Sequence, residues 1–455
     1  MQSCDTFALS RAFSVDHKNT LAKNSDRPLG EAQPFAFYPG GTHAKGEMLR
    51  CTHLTIPQVE RTYTVLGSRP YWIWGFEMGV NECGLMIGNE AEFSRCEAET
   101  EEGLLGMDIL RLALERAATA REGVSVITEL LEKYGQNANA NPLFDRRYEN
   151  SFMLVDPGEI WLLETAGRQW AAKKIDSWAA ISNCYSIGAD YDICSENLEA
   201  LAREKRFLRP DEPFVFSKAY GLADKQSTSL PRFRRLQRLI ASAQGPLSHD
   251  HIRRILADHF EDSLIAPRFG ASAGCFHAIC MHAATWDASQ TAASMIASYD
   301  DVLGPIAWYA PSLPCCSVYI PVYWTGDTPA ATKNAQGVYD ENSLWWTAER
   351  LAMLVSVDES RYAPGVQTIL NAMRNHLPQL VGDCEEKARA LIAEGKKDAA
   401  MQLLAAFTQD ETAALMSAMR SLANHISSDI AAAGDLYGPR KELLENYAAR
   451  VHMPL

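Results

Sequence analysis

The chain changes character near residue 345, and that change constrains the fold more than any single residue does. Up to about Tyr323, short apolar runs of strand length recur, among them "DTFALSRAF", "NTLAKNSD", "RTYTVLG", "SFMLVD", "EIWLLET", "TAASMIASY" and "SVYIPVYW". Gly, Pro, Asn and Asp bound them, as expected where strands end and turns begin. Between these runs, "GLLGMDILRLALERAATA" and "REGVSVITELLEKYG" repeat apolar residues at helical spacing, the second ending at Gly135, a residue suited to a helix C-cap. Strands, two helices and strands again predict helices packed on a mostly antiparallel sheet. After "ENSLWW" strand-like runs cease and Ala, Leu, Glu, Lys and Arg dominate, so residues 346–455 are expected to form a helical C-terminal region broken at Gly395.

Charge and cysteine usage exclude several classes of function. A formal net charge of −14 argues against a nucleic-acid partner and against an anionic membrane surface, both of which require concentrated Lys and Arg. No apolar stretch reaches the roughly 18 residues of a membrane span, and the N-terminus has no signal-peptide pattern, so the expectation is a soluble, cytoplasmic protein. Eleven cysteines, an odd number scattered along the chain, fit reduced thiols better than a disulfide framework. In "CFHAICMHA" the residues Cys275, His277, Cys280 and His282 lie close together, but the interleaved apolar residues predict a buried strand rather than a zinc site. Cys315 and Cys316 read as core or strand-start residues. No cofactor or metal is expected.

Five stretches carry side chains suited to chemistry. Cys4 precedes an apolar run; taken alone it reads first as a small buried cysteine, but as the first residue of a processed chain its own α-amine would be a base for the thiol. "LAKNSDRP" reads as a strand end and turn that brings Lys23, Asn24 and Asp26 to a hairpin partner of the Cys4 strand, where a carboxylate holds an ammonium and a cation holds a thiolate. "VNECG" predicts a tight turn with Gly84 at positive φ and the Asn81 backbone N–H, with flanking polar groups, at a strand end, where an oxyanion donor is useful. "AAISN" ends a strand at Asn183. In "STSLPRFRRLQRLI", Ser229 caps a helix with Pro231 in its first turn; Phe233, Leu236, Leu239 and Ile240 mark the buried face and the arginines, Arg232 among them, the solvated one.

Together, "CDTFAL", "KNSDRP", "WGFEMGVNECGLMIGNEA", "GLLGMDILRLALERA", "SFMLVDPGEIWLLETAGRQWAAKKI", "ISNCYSIG" and "LWW" resemble the secernins and the related C69 family of N-terminal-nucleophile dipeptidases, in colinear blocks from Cys4 to about Trp346. The resemblance implies an α+β fold, the four-layer αββα sandwich of the N-terminal-nucleophile hydrolases, with residues 1–3 as a propeptide, 4–345 as the hydrolase domain and 346–455 as the helical region. It implies Cys4 as the nucleophile, Asp26 as the carboxylate at the new α-amine, Asn81 and Asn183 at oxyanion and orienting positions, and Arg232 as a supporting cation. Lys23 stands where related acylases carry Arg, a change of geometry as well as of residue. The implied substrate is a small peptide or another amide; for a dipeptide, Asp26, Glu77, Glu82 and Glu90 are the acids available to its ammonium. Two other readings stay open: a catalytically silent regulatory or binding protein of the secernin type, and an acylase of non-peptide amides. Related hydrolases are often oligomeric, which makes a homo-oligomer an expectation by analogy.

Overall fold

A computed structural model describes residues 4–97, 99–226, 229–262, 278–283, 285, 288–433 and 438–455. Two antiparallel sheets lie face to face. The six-stranded sheet contains β1 (Asp5–Leu9), β2 (Thr20–Pro28), β10 (Trp178–Ile181), β12 (Ser289–Asp300), β13 (Gly304–Pro311) and β14 (Ile320–Tyr323), in the spatial order β10-β1-β2-β12-β13-β14. The eight-stranded sheet runs β11-β9-β8-β7-β6-β5-β4-β3, from β3 (Phe35–Tyr38), β4 (Val65–Ser68), β5 (Met78–Asn81), β6 (Met86–Glu92), β7 (Glu149–Val155), β8 (Ile160–Ala166), β9 (Gln169–Lys174) and β11 (Ile193–Cys194).

Side-chain alternation along these strands generates the layers. In β1 and β2, Ala8 and Leu21 point to the other sheet and meet Met78, Val80, Met86 and Met153. Their neighbours Phe7, Leu9 and Ala22 point the opposite way, onto Leu236, Ile240, Ile252 and Leu256 of α3 (Leu230–Ala241) and α4 (His249–Leu256). The far face of the eight-stranded sheet, with Ile87, Phe152, Leu154 and Leu163, is covered by Ile109, Leu112, Ile127 and Leu130 of α1 (Gly106–Arg116) and α2 (Ala120–Tyr134). Helices, sheet, sheet and helices make the four-layer αββα sandwich expected from the sequence.

The two helices predicted between strands form where their apolar spacing placed them. The Thr119 side chain caps α2 by accepting from the Glu122 amide, and Gly135 ends it at φ 68°. Gly84 turns the β5–β6 hairpin at φ 87°, with the Tyr299 ring so close that an added Cβ would lie 2.5 Å from it. Helix α3 starts with Pro231 in its first turn, but the Ser229 side chain makes no capping bond.

Three local expectations are corrected. Residues 24–28 are not a turn: β2 continues to Pro28, because β1 and β12 pair with it on both sides and its polar side chains find buried partners. Residues 278–283 form no strand; Cys275 and His277 lie outside the described residues. Arg232 and Arg235 are not on a solvated face: both are buried, Arg235 in a two-bond pair with Asp258 at 2.9 and 2.6 Å.

The C-terminal helices are α5 (Leu344–Val355), α6 (Glu359–Ala393), α7 (Lys397–Ala433) and α8 (Gly438–Val451). Gly395, at φ 79°, separates α6 from α7. Every residue of α5 is buried, as befits a helix enclosed on all sides. Trp345 donates its indole N–H to Ala292 O at 2.7 Å, and Glu349 accepts from Gln290, Ser312 and Tyr447. No helix among the described residues is long and apolar enough to cross a membrane.

Because α5 belongs to the same apolar core as both sheets, Trp346→Ala is expected to cost about 3–5 kcal/mol. Urea denaturation followed by tryptophan fluorescence and circular dichroism checks this: the midpoint falls, and the two probes still give one transition.

Candidate active site

Cys4 stands one residue before β1 and is buried. Its Sγ accepts from the Asp26 amide at 3.2 Å, so the thiol lies against the backbone of β2. Its nitrogen donates to Asn183 Oδ1 at 2.9 Å. Asn183 follows β10, the strand on the other side of β1, and its Nδ2 is tied to Ala91 O at 2.9 Å. Arg232, from the first turn of α3, completes the arrangement by donating through Nη2 to Asn183 Oδ1 at 2.8 Å and to Ser182 Oγ at 2.9 Å. Its Nε lies 3.1 Å from Asp5 Oδ2. Arg232 thus fixes the carbonyl of the amide that holds the Cys4 nitrogen, as a positioning residue.

Asp26 contributes in two ways. Its backbone touches the thiol, and its carboxylate accepts from Thr291 Oγ1 at 2.6 Å through Oδ1. Among the described residues, the other oxygen, Oδ2, is buried with no hydrogen-bond partner. A buried carboxylate oxygen left open in this way is costly unless a donor arrives to meet it.

On the face toward the second sheet, Lys23 crosses the interlayer. Its ammonium donates to Asn89 O and lies 3.4 Å from Glu90 Oε1, which also accepts from Thr6 Oγ1. Nearby, Arg27 pairs with Glu31 at 2.7 Å and with Glu77 at 3.3 Å. All these groups are buried. Burial pushes the Cys4 thiol well above its usual range; Lys23 opposes this, and Glu90, Glu77 and Asp26 add to it. Left to this environment the thiol stays protonated, so a nucleophilic Cys4 needs a base within reach. Burial also raises Asp5 to about 6 and Glu90 to about 8, against the pull of Arg232 and Lys23 respectively.

Cys4, Lys23, Asp26, Asn183 and Arg232 are therefore brought together; two other candidates are not. Asn81 sits in the β5–β6 turn with its side chain spent on structure: Nδ2 donates to Leu114 O and Ala117 O at the end of α1, and Oδ1 accepts from the Cys83 and Leu85 amides. It holds a hairpin to a helix, and its backbone N–H, the donor expected from the sequence, is spent on Leu85 O at 2.9 Å. Asn24 faces the helix layer, donating to Leu256 O and Ile279 O and accepting from Ser294 Oγ. Glu82 is exposed and bonds Thr64 N, leaving Glu77 and Glu90 as the acids around Cys4 besides Asp26 and Asp5. Asp5, Thr6 and Thr291 were missed; strand alternation from Cys4 was the available signal for the first two. A cleft of about 190 Å³ lies beside this region, bordered by Phe93, Ser94, Gln136, Tyr148 and Glu149. Burial raises the Tyr148 phenol, which also feels the charges of Arg27, Glu77 and Cys4.

Two outcomes follow from the buried charges. Glu90 loses its proton near 4.5 when unfolded and near 8 when folded, so the folded state binds more protons in between. Its stability contribution is full below about pH 4.5 and is lost as pH rises through about 8. Urea midpoints of the wild type are expected to fall relative to Glu90→Gln across that window; parallel curves refute the assignment. Separately, Arg232→Ala leaves Asp5 buried without its cation and is expected to cost about 3–5 kcal/mol, with part recovered when Asp5→Asn is added.

The sequence matches the profile of Peptidase family C69 over residues 52–372. It is 24% identical to the probable dipeptidase B of Lactococcus lactis subsp. lactis strain IL1403 over 409 residues, 77% of this chain and 81% of that protein. It is 28% identical to a dipeptidase of Bifidobacterium longum strain NCC 2705 over 214 residues, 41% of this chain and 38% of that one. Among solved structures, the penicillin V acylase of Agrobacterium tumefaciens aligns with 13% identity and a TM-score of 0.40, over 71% of this chain and 86% of its own. These structural likenesses are too distant to carry residue roles across. The extent of the family match decides the assignment: the chain belongs to peptidase family C69, and its chemistry is that of an amide-bond hydrolase.

Proposed function

We propose that the protein is a dipeptidase whose nucleophile is Cys4, made competent by removal of Met1, Gln2 and Ser3. The observation that carries this reading is the Cys4 nitrogen held at 2.9 Å by Asn183, with Arg232 behind it, inside a cluster of buried acids. In the encoded chain that nitrogen belongs to the Ser3–Cys4 peptide bond. Hydrolysis of the bond adds hydroxyl to the Ser3 carbonyl and a proton to the nitrogen, and turns an amide without basicity into an amine whose ordinary pKa is about 7.7–8.0. The amine takes the thiol proton, and the thiolate attacks the substrate carbonyl. Lys23 is the cation that favours the thiolate, and its ammonium with the remaining N–H of Asn183 are the donors available to the oxyanion. The proton passes to the leaving amine, a thioester remains, and water attacks it, with the α-amine now taking the water's proton.

The acids supply a reason for a peptide with a free N-terminus. Among the described residues, Asp26 Oδ2 and Glu90 Oε2 are buried without hydrogen-bond partners, and an entering ammonium offers donors to them. The dipeptidases among the relatives support the same substrate class.

The test joins mass spectrometry to a substrate panel. Active protein is expected to lack Met1–Ser3, to cleave dipeptides, to reject their N-acetylated forms, and to lose at least about a thousandfold in kcat/KM on Cys4→Ala. Turnover by protein that keeps all three residues sinks the amine-base mechanism. Cleavage of acyl amides with dipeptides untouched makes the protein an acylase, and no turnover of any amide favours a binding protein.

A further inference from the structure

Behind Asp26, on the helix side of β12, four side chains that are distant in sequence converge. His259 follows α4, Cys280 and His282 lie in the segment that leads into β12, and Cys315 lies in a short turn, Pro314–Cys316, after β13. Their ligating atoms all lie within 4.8 Å of one another. His259 Nε2 is 3.1 Å from His282 Nε2, which is 3.7 Å from Cys280 Sγ and 3.4 Å from Cys315 Sγ. In a tetrahedron with metal–nitrogen bonds of about 2.0–2.1 Å and metal–sulfur bonds of about 2.3 Å, N···N edges are about 3.3 Å and N···S edges about 3.6 Å. The two N···S spacings lie on either side of the ideal edge, and the N···N spacing is slightly shorter than its own.

We propose that His259 Nε2, Cys280 Sγ, His282 Nε2 and Cys315 Sγ bind a structural zinc ion. Two thiolates and two neutral imidazoles balance the dication, so the complex is neutral, as a buried site requires; the two thiol protons leave to solvent on binding. Both cysteines are buried and all four positions are filled by protein, the closed arrangement of structural rather than catalytic zinc. The surroundings fit as well. Glu261 Oε1 lies 3.0 Å from His259 Nδ1, which leaves Nε2 for the metal. Asp258, clamped by Arg235, accepts from the Cys280 amide through its carbonyl at 3.1 Å. Gln367 and Arg374 of α6 hold the Cys315 carbonyl at 2.8 and 2.9 Å. The ion therefore fastens three stretches of chain and, through the last, the C-terminal helices.

It also bears on the neighbouring site without entering it. Met281, between two ligands, exchanges bonds with Thr291: its amide donates to Thr291 Oγ1 at 2.9 Å and its carbonyl accepts from Thr291 N at 3.0 Å. The same hydroxyl donates to Asp26 at 2.6 Å. The zinc thus sets the segment against which Asp26 is placed.

Elemental analysis of full-length protein tests the site independently of any peptidase activity. About one zinc per chain is expected in the wild type and in Cys316→Ser, whose sulfur is not among the four ligands, and a loss of most of it in Cys280→Ser and His282→Ala. Should those variants fail to fold, wild-type protein stripped with a chelator and titrated with cobalt(II) decides: a thiolate charge-transfer band with tetrahedral visible absorption, displaced by zinc, together with a melting temperature restored by several degrees, is the expected result. Metal-free protein that gives no such band, zinc retained in Cys280→Ser, or another metal bound stoichiometrically in zinc's place overturns the proposal.

Discussion

A buried ammonium between two sheets organises this molecule. Lys23 leaves the middle of the six-stranded sheet and ends on Asn89 O and Glu90 of the eight-stranded one, while on the opposite face of the same strand pair Arg232 meets Asp5. Each arrangement removes charge from water at a cost of several kcal/mol per ion before attraction offsets it. Apolar side chains of the same volume would fill the layer without that penalty, so stability does not account for these groups. Their effect is a field: the Lys23 cation pulls the Cys4 thiol pKa down, and Glu90, Glu77 and Asp26 push it up.

The sequence showed what is local and hid what is not. Helices α1 and α2 were legible because apolar spacing, a capping threonine and a terminal glycine all lie within the segment itself. Strand β2 was misread because "NSDRP" has turn composition; its polar groups are tolerable only because Thr291, Gln33, Glu31 and Glu90 bond or pair with them. Asn81 looked like a strand-end donor, and nothing in "VNECG" reveals that the end of α1 consumes its amide. The His259–Cys280–His282–Cys315 cluster escaped for the same reason: two ligands are close in sequence, but the others arrive from different elements.

The family profile adds a division of its own. It spans residues 52–372, so it includes Glu77, Glu90, Asn183 and Arg232 but begins after Cys4, Lys23 and Asp26. These two sets of residues meet only in the folded chain, where β1 and β2 lie between β10 and β12. Cys4 is thus supplied by one part of the polypeptide and much of its surroundings by another, which explains why short motifs near Cys4 say little by themselves.

Helix α8 closes the structure at an unexpected place. Arg450 donates to Leu29 O, just past the end of β2, and Tyr447 reaches Glu349 in the enclosed helix α5. Residues far along the chain from β2 therefore seal the exit of the strand that carries Lys23 and Asp26. During synthesis, the first two strands must wait for Tyr447 and Arg450 before their surroundings are complete, which imposes a built-in delay between the birth of Cys4 and the assembly of its environment.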